Sequence, residues 1–171
     1  MDPQRVTTGG GLDVEIRETT HHDHPDLHAA FSSLVLAGEG YPQHPDRPVS
    51  FDTFRDYWLA PATLAVVARV VSDRALAGAY TMKPNGPGRA AHVANAGYFV
   101  APSHRGRGLG SALVRHSMEE ARRLGFDAMQ YNLVFASNPA RVLYERLGFE
   151  VVGRVPRVID GEDVFIYWRE L

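Results

Sequence analysis

The chain has 171 residues, of which 44% are hydrophobic, and its formal net charge at pH 7 is −2. This length and apolar content suit one domain with a substantial core, and two independent cores would be crowded. The small negative charge argues against a general nucleic-acid binder, which carries a broad basic excess. The sequence contains no cysteine, which excludes a disulfide framework, a thiolate nucleophile and a cysteine metal site.

No charged segment followed by an apolar stretch opens the sequence, and no apolar run approaches the roughly 20 residues that a membrane span needs. We therefore expect a cytoplasmic protein with neither a membrane nor a nucleic acid as partner. Residues 1–12, MDPQRVTTGGGL, are polar and include three consecutive glycines. They predict a disordered tail, followed by one domain over residues 13–171.

Apolar residues recur along the chain with the periods of strands and helices. The predicted strands cover residues 14–17, 63–71, 76–82, 91–100, 128–134, 150–155 and 164–168, and the predicted helices cover 25–37, 51–59, 109–124 and 138–147. A helix separates strand 91–100 from strand 128–134. These two strands should therefore run parallel, with a right-handed connection.

Two polar stretches early in the chain each have two interpretations. His21, His22 and His24 lie too close together for a standard zinc pattern, so we expect exposed loop histidines and no metal site. The proline-rich segment 39–48, EGYPQHPDRP, must be largely irregular. It is either a linker between two helices or a loop that carries binding residues.

The most informative stretch joins strand 91–100 to the helix that starts at Leu109. Gly106, Gly108 and Gly110 let the backbone approach a ligand closely and adopt positive φ where needed. The first N–H groups of a helix lack internal partners and favour negative charge. Arg105 and Arg107 add positive side chains, so the stretch predicts a pyrophosphate site.

Two common phosphate motifs do not fit this stretch. A Walker P-loop needs a lysine followed by serine or threonine, and residues 105–111, RGRGLGS, contain no lysine. A dinucleotide fingerprint that starts at Gly106 needs glycine at its sixth position, which is Ser111. That interpretation is weak.

A family resemblance fits better. Arg105-Gly-Arg-Gly-Leu-Gly110 is similar to the Q/R-x-x-G-x-G/A signature of the GNAT superfamily of N-acetyltransferases. Further along, Asn138 and Leu143-Tyr-Glu-Arg-Leu-Gly-Phe149 resemble the family's C-terminal asparagine and L-Y-x-x-x-G-F helix. The resemblance implies a single α/β domain with a mixed, mostly antiparallel, twisted sheet of about six to seven strands and about four helices. Two splayed parallel strands would form the acyl-CoA cleft.

The resemblance also implies acetyl-CoA as co-substrate and no metal. The backbone of Tyr98, Phe99 and Val100 would pair with the pantetheine arm like an added strand. Asn138 would contact the arm as well, although a role as helix N-cap would also explain it. The pyrophosphate would be held by the loop residues Arg105, Gly106, Arg107, Gly108, Leu109, Gly110 and Ser111.

For the reaction, the resemblance implies direct transfer of an acetyl group to a primary amine, with Tyr144 as general acid near the sulfur. The other interpretation of Tyr144 is a core residue. Glu39 is our first candidate for the base that keeps the amine neutral, and His92 and Asn95, acting through water, are alternatives.

The acceptor, a small-molecule or peptide amine, is not specified by the sequence. Residues that could line its pocket are Tyr41, His44, Tyr57, Trp58 and Asn132. The alternative function is a non-catalytic acyl-CoA-binding sensor or interaction domain. Family members are often homodimers, but no sequence patch identifies an interface.

Overall fold

The computed structural model describes residues 1–171 and contains one eight-stranded sheet and four α-helices. The strands are β1 (Gln4–Thr7), β2 (Asp13–Glu18), β3 (Leu64–Val70), β4 (Leu76–Pro84), β5 (Val93–Val100), β6 (Ala128–Phe135), β7 (Glu150–Ile159) and β8 (Glu162–Glu170). The helices are α1 (His24–Leu36), α2 (Phe51–Phe54), α3 (Leu109–Arg123) and α4 (Ala140–Arg146). Even α3, with 15 residues, falls short of the length and apolar character that a membrane span requires.

The strand order in the sheet is β1-β2-β3-β4-β5-β6-β8-β7. The neighbours β1 and β2, β2 and β3, β3 and β4, β6 and β8, and β7 and β8 all pair antiparallel. Strands β5 and β6 pair parallel, with Val93 opposite Ala128 and Ala94 opposite Met129. The predicted mixed, mostly antiparallel sheet is confirmed, and it has one strand more than expected.

The additional strand is β1, which lies inside the predicted tail. Gln4 pairs with Ile16 and Val6 pairs with Val14 of β2. The sequence Gln-Arg-Val-Thr has a single apolar residue, so it lacks the alternation of apolar and polar residues that would predict a strand. Its extended conformation depends on the ladder with β2, because strand formation is set more by neighbours than by intrinsic preference. The prediction of disorder is wrong for residues 4–7.

The chain forms two compact units. The first comprises Met1–Met82 and Gly97–His116, and the second comprises Lys83–Ala96 and Ser117–Leu171. In the first unit, the apolar face of α1 packs on the sheet together with α2. Its buried core contains Leu27, Phe31, Leu34, Val35, Val49, Phe54, Trp58, Val67, Ala79 and Phe99.

The helix predicted over residues 51–59 forms in two parts. Ser50 caps α2, because its side chain accepts a hydrogen bond from the Thr53 N–H, and Arg55–Leu59 then continue as a wider π-helical turn. Trp58 lies in this turn and is only 2% exposed. Packing therefore accounts for Trp58, in agreement with its apolar character.

The second unit is held together by aromatic side chains. The ring of Tyr144, on α4, lies 4.8 Å from Tyr131 of β6 and 5.7 Å from Tyr167 of β8, measured between centroids. Phe149 stacks on Tyr131 at 4.7 Å. This cluster seats α4 on the strands of its own unit, since aromatic pairs at these separations attract one another beyond their buried area.

A buried carboxylate anchors the start of α1 in the first unit. Asp23 is 1% exposed. It accepts hydrogen bonds from both terminal nitrogens of Arg17, at 2.7 and 2.9 Å, and from the Arg69 Nε at 2.9 Å. Burial by itself would raise the pKa of Asp23, but the hydrogen bonds from Arg17, Thr20 and Arg69 hold that pKa well below its usual range.

Candidate active site

The glycine-rich loop has the backbone that its sequence predicts. After β5 the chain makes a short 3₁₀ turn at Pro102–His104 and reaches α3 at Leu109. Gly106 has φ +72° and Gly108 has φ +79°, in the left-handed region that favours glycine. Together with the first N–H groups of α3, a backbone turned in this way can present several donors to one anion.

The strand that leads into this loop offers only part of its backbone to a ligand. The Ala101 N–H donates to the Ala77 carbonyl of β4 at 2.8 Å. Because peptide groups alternate along a strand, the N–H and C=O of Phe99 also face β4. Tyr98 and Val100 present theirs to the opposite edge. The three predicted residues thus differ: the backbone groups of Tyr98 and Val100 face away from β4, and those of Phe99 face towards it. The Phe99 side chain is buried, 5% exposed, beside Trp58.

Segment 39–48 contacts both β5 and the loop. The Tyr41 hydroxyl donates to the Tyr98 carbonyl at 3.0 Å, and its ring lies 4.7 Å from that of Phe31. Glu39, the candidate base, accepts a hydrogen bond from Arg105 and forms an ion pair with it. These contacts favour the interpretation that the segment carries functional residues over that of a simple linker.

The Arg105 side chain lies back against the end of its own strand. Its Nε donates to the Val100 carbonyl at 3.3 Å, and a terminal nitrogen donates to the Glu39 carboxylate. The Arg105 and Glu39 side chains are 44% and 42% exposed. An ion pair this exposed contributes little to stability and is easily exchanged for another anion.

Tyr144 lies in the second unit and is 7% exposed. Its ring contacts with Tyr131, Phe149 and Tyr167 show that it packs in a core, as one of its two interpretations requires. Near it, the Tyr167 hydroxyl donates to the Glu145 carboxylate at 2.9 Å and receives a hydrogen bond from Arg141 at 3.1 Å. Burial raises the pKa of Tyr167, which keeps that hydroxyl neutral. The acid role of Tyr144 stays a prediction.

Asn138 has a clear structural role. Its side-chain oxygen accepts a hydrogen bond from the Ala140 N–H at 2.9 Å, and its carbonyl accepts one from the Arg141 N–H at 3.2 Å. Both bonds satisfy N–H donors at the start of α4. The N-cap position itself is Pro139, one residue later than the predicted N-cap at Asn138. A contact between Asn138 and the pantetheine arm stays a prediction.

Three further candidates, His92, Asn95 and Asn132, lie in the second unit. The two asparagines share one hydrogen-bond partner. His92 is exposed, and its Nδ1 lies 2.9 Å from the Arg89 carbonyl. Asn95 and Asn132 both donate to the side-chain oxygen of Asn85, at 3.0 and 2.6 Å. Asn85, in the turn after β4, was not singled out by the sequence.

No group of three or more His, Asp or Glu side chains gathers anywhere in the chain to hold a metal ion. Of the clustered early histidines, His21 and His22 place their rings 3.8 Å apart and both are exposed.

The sequence also gave no indication that the N-terminal segment reaches the glycine-rich loop. Thr8 donates a hydrogen bond to the Arg107 carbonyl, and Gly10 packs on the Arg107 backbone. The signal that could have revealed this contact is the run Gly9, Gly10 and Gly11, because glycine also marks places where two backbones approach closely.

The chain thus combines a mixed α/β sheet that contains one parallel strand pair with a glycine-rich turn between β5 and the long helix α3. A turn of this kind can present several N–H donors to an anion. A family model described as the acetyltransferase (GNAT) family matches residues 26–149. The chain belongs to this family. The expected fold and family are therefore confirmed.

Individual relatives agree with the family. N-acetyltransferase aca1 of Schizosaccharomyces pombe is 41% identical over 95 residues, which cover 55% of this chain and 46% of aca1. A GCN5-related N-acetyltransferase from Kribbella flavida has a TM-score of 0.83 and 34% identity, over 92% of this chain and 98% of that one. The Salmonella typhimurium yncA structure, determined with acetyl-CoA, shares the fold with a TM-score of 0.77 and 22% identity, over 92% and 94% of the two chains. The matched segment thus spans less than half the length of aca1.

Proposed function

We propose that the protein is an acetyl-CoA-dependent N-acetyltransferase that transfers an acetyl group to a primary amine. The observation that carries this proposal is the continuous stretch from Tyr98 to α3. It combines the end of a strand, two left-handed glycines and a helix N-terminus in the order that an extended arm followed by a pyrophosphate requires. Membership of the acetyltransferase family supports the same conclusion.

In this proposal the donor lies along β5. The Val100 N–H pairs with the pantetheine arm as an added strand would, and the Tyr98 N–H faces the thioester end of the arm. The amides of residues 106–111 hold the pyrophosphate, with Arg105 and Arg107 supplying opposite charge. Asn138 contributes its amide nitrogen to the arm while its oxygen accepts the hydrogen bond from the Ala140 N–H.

The transfer itself is a direct displacement. The lone pair of the neutral amine attacks the thioester carbonyl carbon, the N–C bond forms, and the C–S bond breaks. The Tyr98 N–H stabilises the oxyanion, and the Tyr144 hydroxyl protonates the departing thiolate. The acylated nitrogen loses a proton, which returns to Tyr144 through solvent, so atoms and charge balance.

Glu39 is the proposed base that removes a proton from the incoming ammonium group. Its ion pair with Arg105 holds it away from this task. A pyrophosphate competes with Glu39 for the same guanidinium, because phosphate oxygens bind arginine strongly. Glu39 would therefore become available as a base when the donor is bound.

The test measures free-thiol release from acetyl-CoA with a panel of primary amines, polyamines, amino acids and peptides. We expect release with one class of amine. The Tyr144→Phe variant should bind acetyl-CoA normally and turn over about 10²- to 10⁴-fold more slowly. Tyr167→Phe is the matched control, since it removes a hydroxyl from the same aromatic cluster and should leave turnover near that of the wild type.

Wild-type turnover of Tyr144→Phe across the pH range, with normal acetyl-CoA binding, would remove the tyrosine from the acid role. One observation favours the second candidate, a non-catalytic acyl-CoA sensor: the only proposed carboxylate base is paired with an arginine. Tight acetyl-CoA binding without thiol release for any amine would select the sensor.

A further inference from the structure

The N-terminal turn between β1 and β2 contacts the glycine-rich loop through a buried hydroxyl. Thr8 is 6% exposed. Its Oγ1 donates to the Arg107 carbonyl at 2.5 Å and accepts from the Leu12 N–H at 3.1 Å. A hydroxyl has one hydrogen to donate. The Leu12 bond occupies a lone pair of Oγ1, so the hydrogen is directed at Arg107.

The two backbones also pack directly on each other. A methyl group placed on Gly10 would lie 2.6 Å from the Arg107 Cα and 2.7 Å from the Arg107 carbonyl carbon and oxygen. A methyl group on Gly108 would lie 3.3 Å from the Gly9 nitrogen. Only glycine fits at position 10 without moving the loop, so the glycine run is shaped to the loop that it touches.

The hydrogen bond from Thr8 sets the orientation of one peptide unit in the loop. In a planar trans peptide, the C=O of one residue and the N–H of the next point in opposite directions. Since the Arg107 carbonyl points at Thr8, the Gly108 N–H points away from the turn. It thereby becomes a donor for an anion on the other side of the loop.

We propose that Thr8 is a positioning residue for the pyrophosphate-binding loop, and this inference rests on the proposed function. Residues 105–108 are exposed, and an exposed loop must be ordered when it binds unless something already holds it. The N-terminal turn supplies that order beforehand, which improves affinity by lowering the cost of ordering the loop on binding.

The test compares Thr8→Val with Thr8→Ser. Thr8→Val keeps the branched shape and removes the hydroxyl, whereas Thr8→Ser keeps the hydroxyl. The matched control is Thr7→Val, because Thr7 is exposed and its hydroxyl donates to the Asp13 carboxylate in the same hairpin, not to the loop. The measurement is the Kd of CoA and of the nucleotide half of CoA, which carries the pyrophosphate and lacks the pantetheine arm.

We expect Thr8→Val to raise both Kd values about tenfold, the scale of one lost buried hydrogen bond. Thr8→Ser should restore binding, Thr7→Val should match the wild type, and turnover at saturating acetyl-CoA should be unchanged in all three. Thermal unfolding of each unliganded variant confirms that it is folded at the assay temperature. Gly10→Ala, which moves the Arg107 backbone, should weaken both ligands in the same way.

The outcomes separate this inference from the proposed function. If the wild-type protein binds neither CoA nor its nucleotide half, the proposed donor site is wrong and this inference falls with it. If the wild type binds both and folded Thr8→Val binds equally well, Thr8 has no positioning role and the proposed function stands. Equal losses in Thr8→Val and Thr7→Val would assign the effect to the hairpin in general and also overturn the inference.

Discussion

The buried carboxylate of Asp23 offers the sharpest prediction about stability. The Asp23→Asn substitution keeps the size of the side chain and removes its charge. Asp23 accepts two hydrogen bonds from Arg17, one from Arg69, and two from the N–H and hydroxyl of Thr20. An asparagine presents only one oxygen to these donors, so it leaves donors unpaired and two guanidinium groups without their shared counter-charge.

The size of the effect follows from the burial of the three partners. Breaking a buried ion pair by removing one partner costs about 3–5 kcal/mol. The Arg17 and Arg69 side chains are 18% and 11% exposed, and Arg69 keeps a second carboxylate, Asp26, at 2.8 Å. We therefore expect a somewhat smaller loss, about 2–4 kcal/mol of unfolding free energy. For a chain of this length, that loss lowers Tm by about 5–15 °C.

The effect should depend on pH in a defined direction. Because the pKa of Asp23 is lowered in the folded state, its stabilising contribution is complete above the unfolded-state pKa of about 4. The contribution is lost as the pH falls towards the lowered folded-state pKa. The difference in stability between the wild type and Asp23→Asn should thus be constant from about pH 5 to 8 and shrink below about pH 4.

Urea unfolding, followed by circular dichroism across this pH range, measures the difference directly. Asp26→Asn is the matched control. Asp26 pairs with Arg69 as well, but its side chain is 56% exposed, so its loss should cost less than about 1 kcal/mol. An Asp23→Asn loss no larger than that of Asp26→Asn at pH 7, or one that persists undiminished at pH 3, would refute the reasoning.

Two further predictions concern the site and the sheet. Glu39→Gln should reduce turnover most at low pH, where the amine acceptor is most protonated and a base is most needed. It should also tighten acetyl-CoA binding by about 2- to 5-fold, because Arg105 loses a competing carboxylate. An unchanged pH profile of turnover would remove Glu39 as the base. Gly78→Ala should cost about 1–3 kcal/mol of unfolding free energy, since its methyl group would lie 2.8 Å from the Phe99 carbonyl oxygen. Gly97→Ala, whose methyl group would meet only Trp58 at 3.7 Å, is the control, and equal losses in the two variants would contradict the steric argument.

Most strands and helices could be predicted because each is encoded in its own residues. The alternation from Asp13 to Glu18 and the apolar spacing along α1 report local burial directly. The left-handed glycines at positions 106 and 108 were likewise foreseeable, since residue type and backbone conformation are tightly linked at glycine. The parallel pairing of β5 and β6 followed from the helix between them.

The end of strand β7 could not be predicted from the residues of the strand alone. The sequence predicted an end at Val155, ahead of Pro156, but the strand continues to Ile159 with an irregular register. In the strand order β7 lies at the edge of the sheet, and an edge strand tolerates a proline because one side of it needs no donor. The position of a strand in the sheet is a property of the whole fold and cannot be obtained from its own residues.

The sequence by itself therefore determined the family and the left-handed glycines of the loop that we propose holds a pyrophosphate, and it identified Tyr144 as a candidate acid. Tertiary structure alone decided which side chains reach that loop. Thr8 and Arg107 are 99 positions apart, Glu39 and Arg105 are 66 apart, and Tyr41 and Tyr98 are 57 apart. Contacts at such separations leave no periodic pattern, because each depends on how distant segments pack and not on the conformation of either segment.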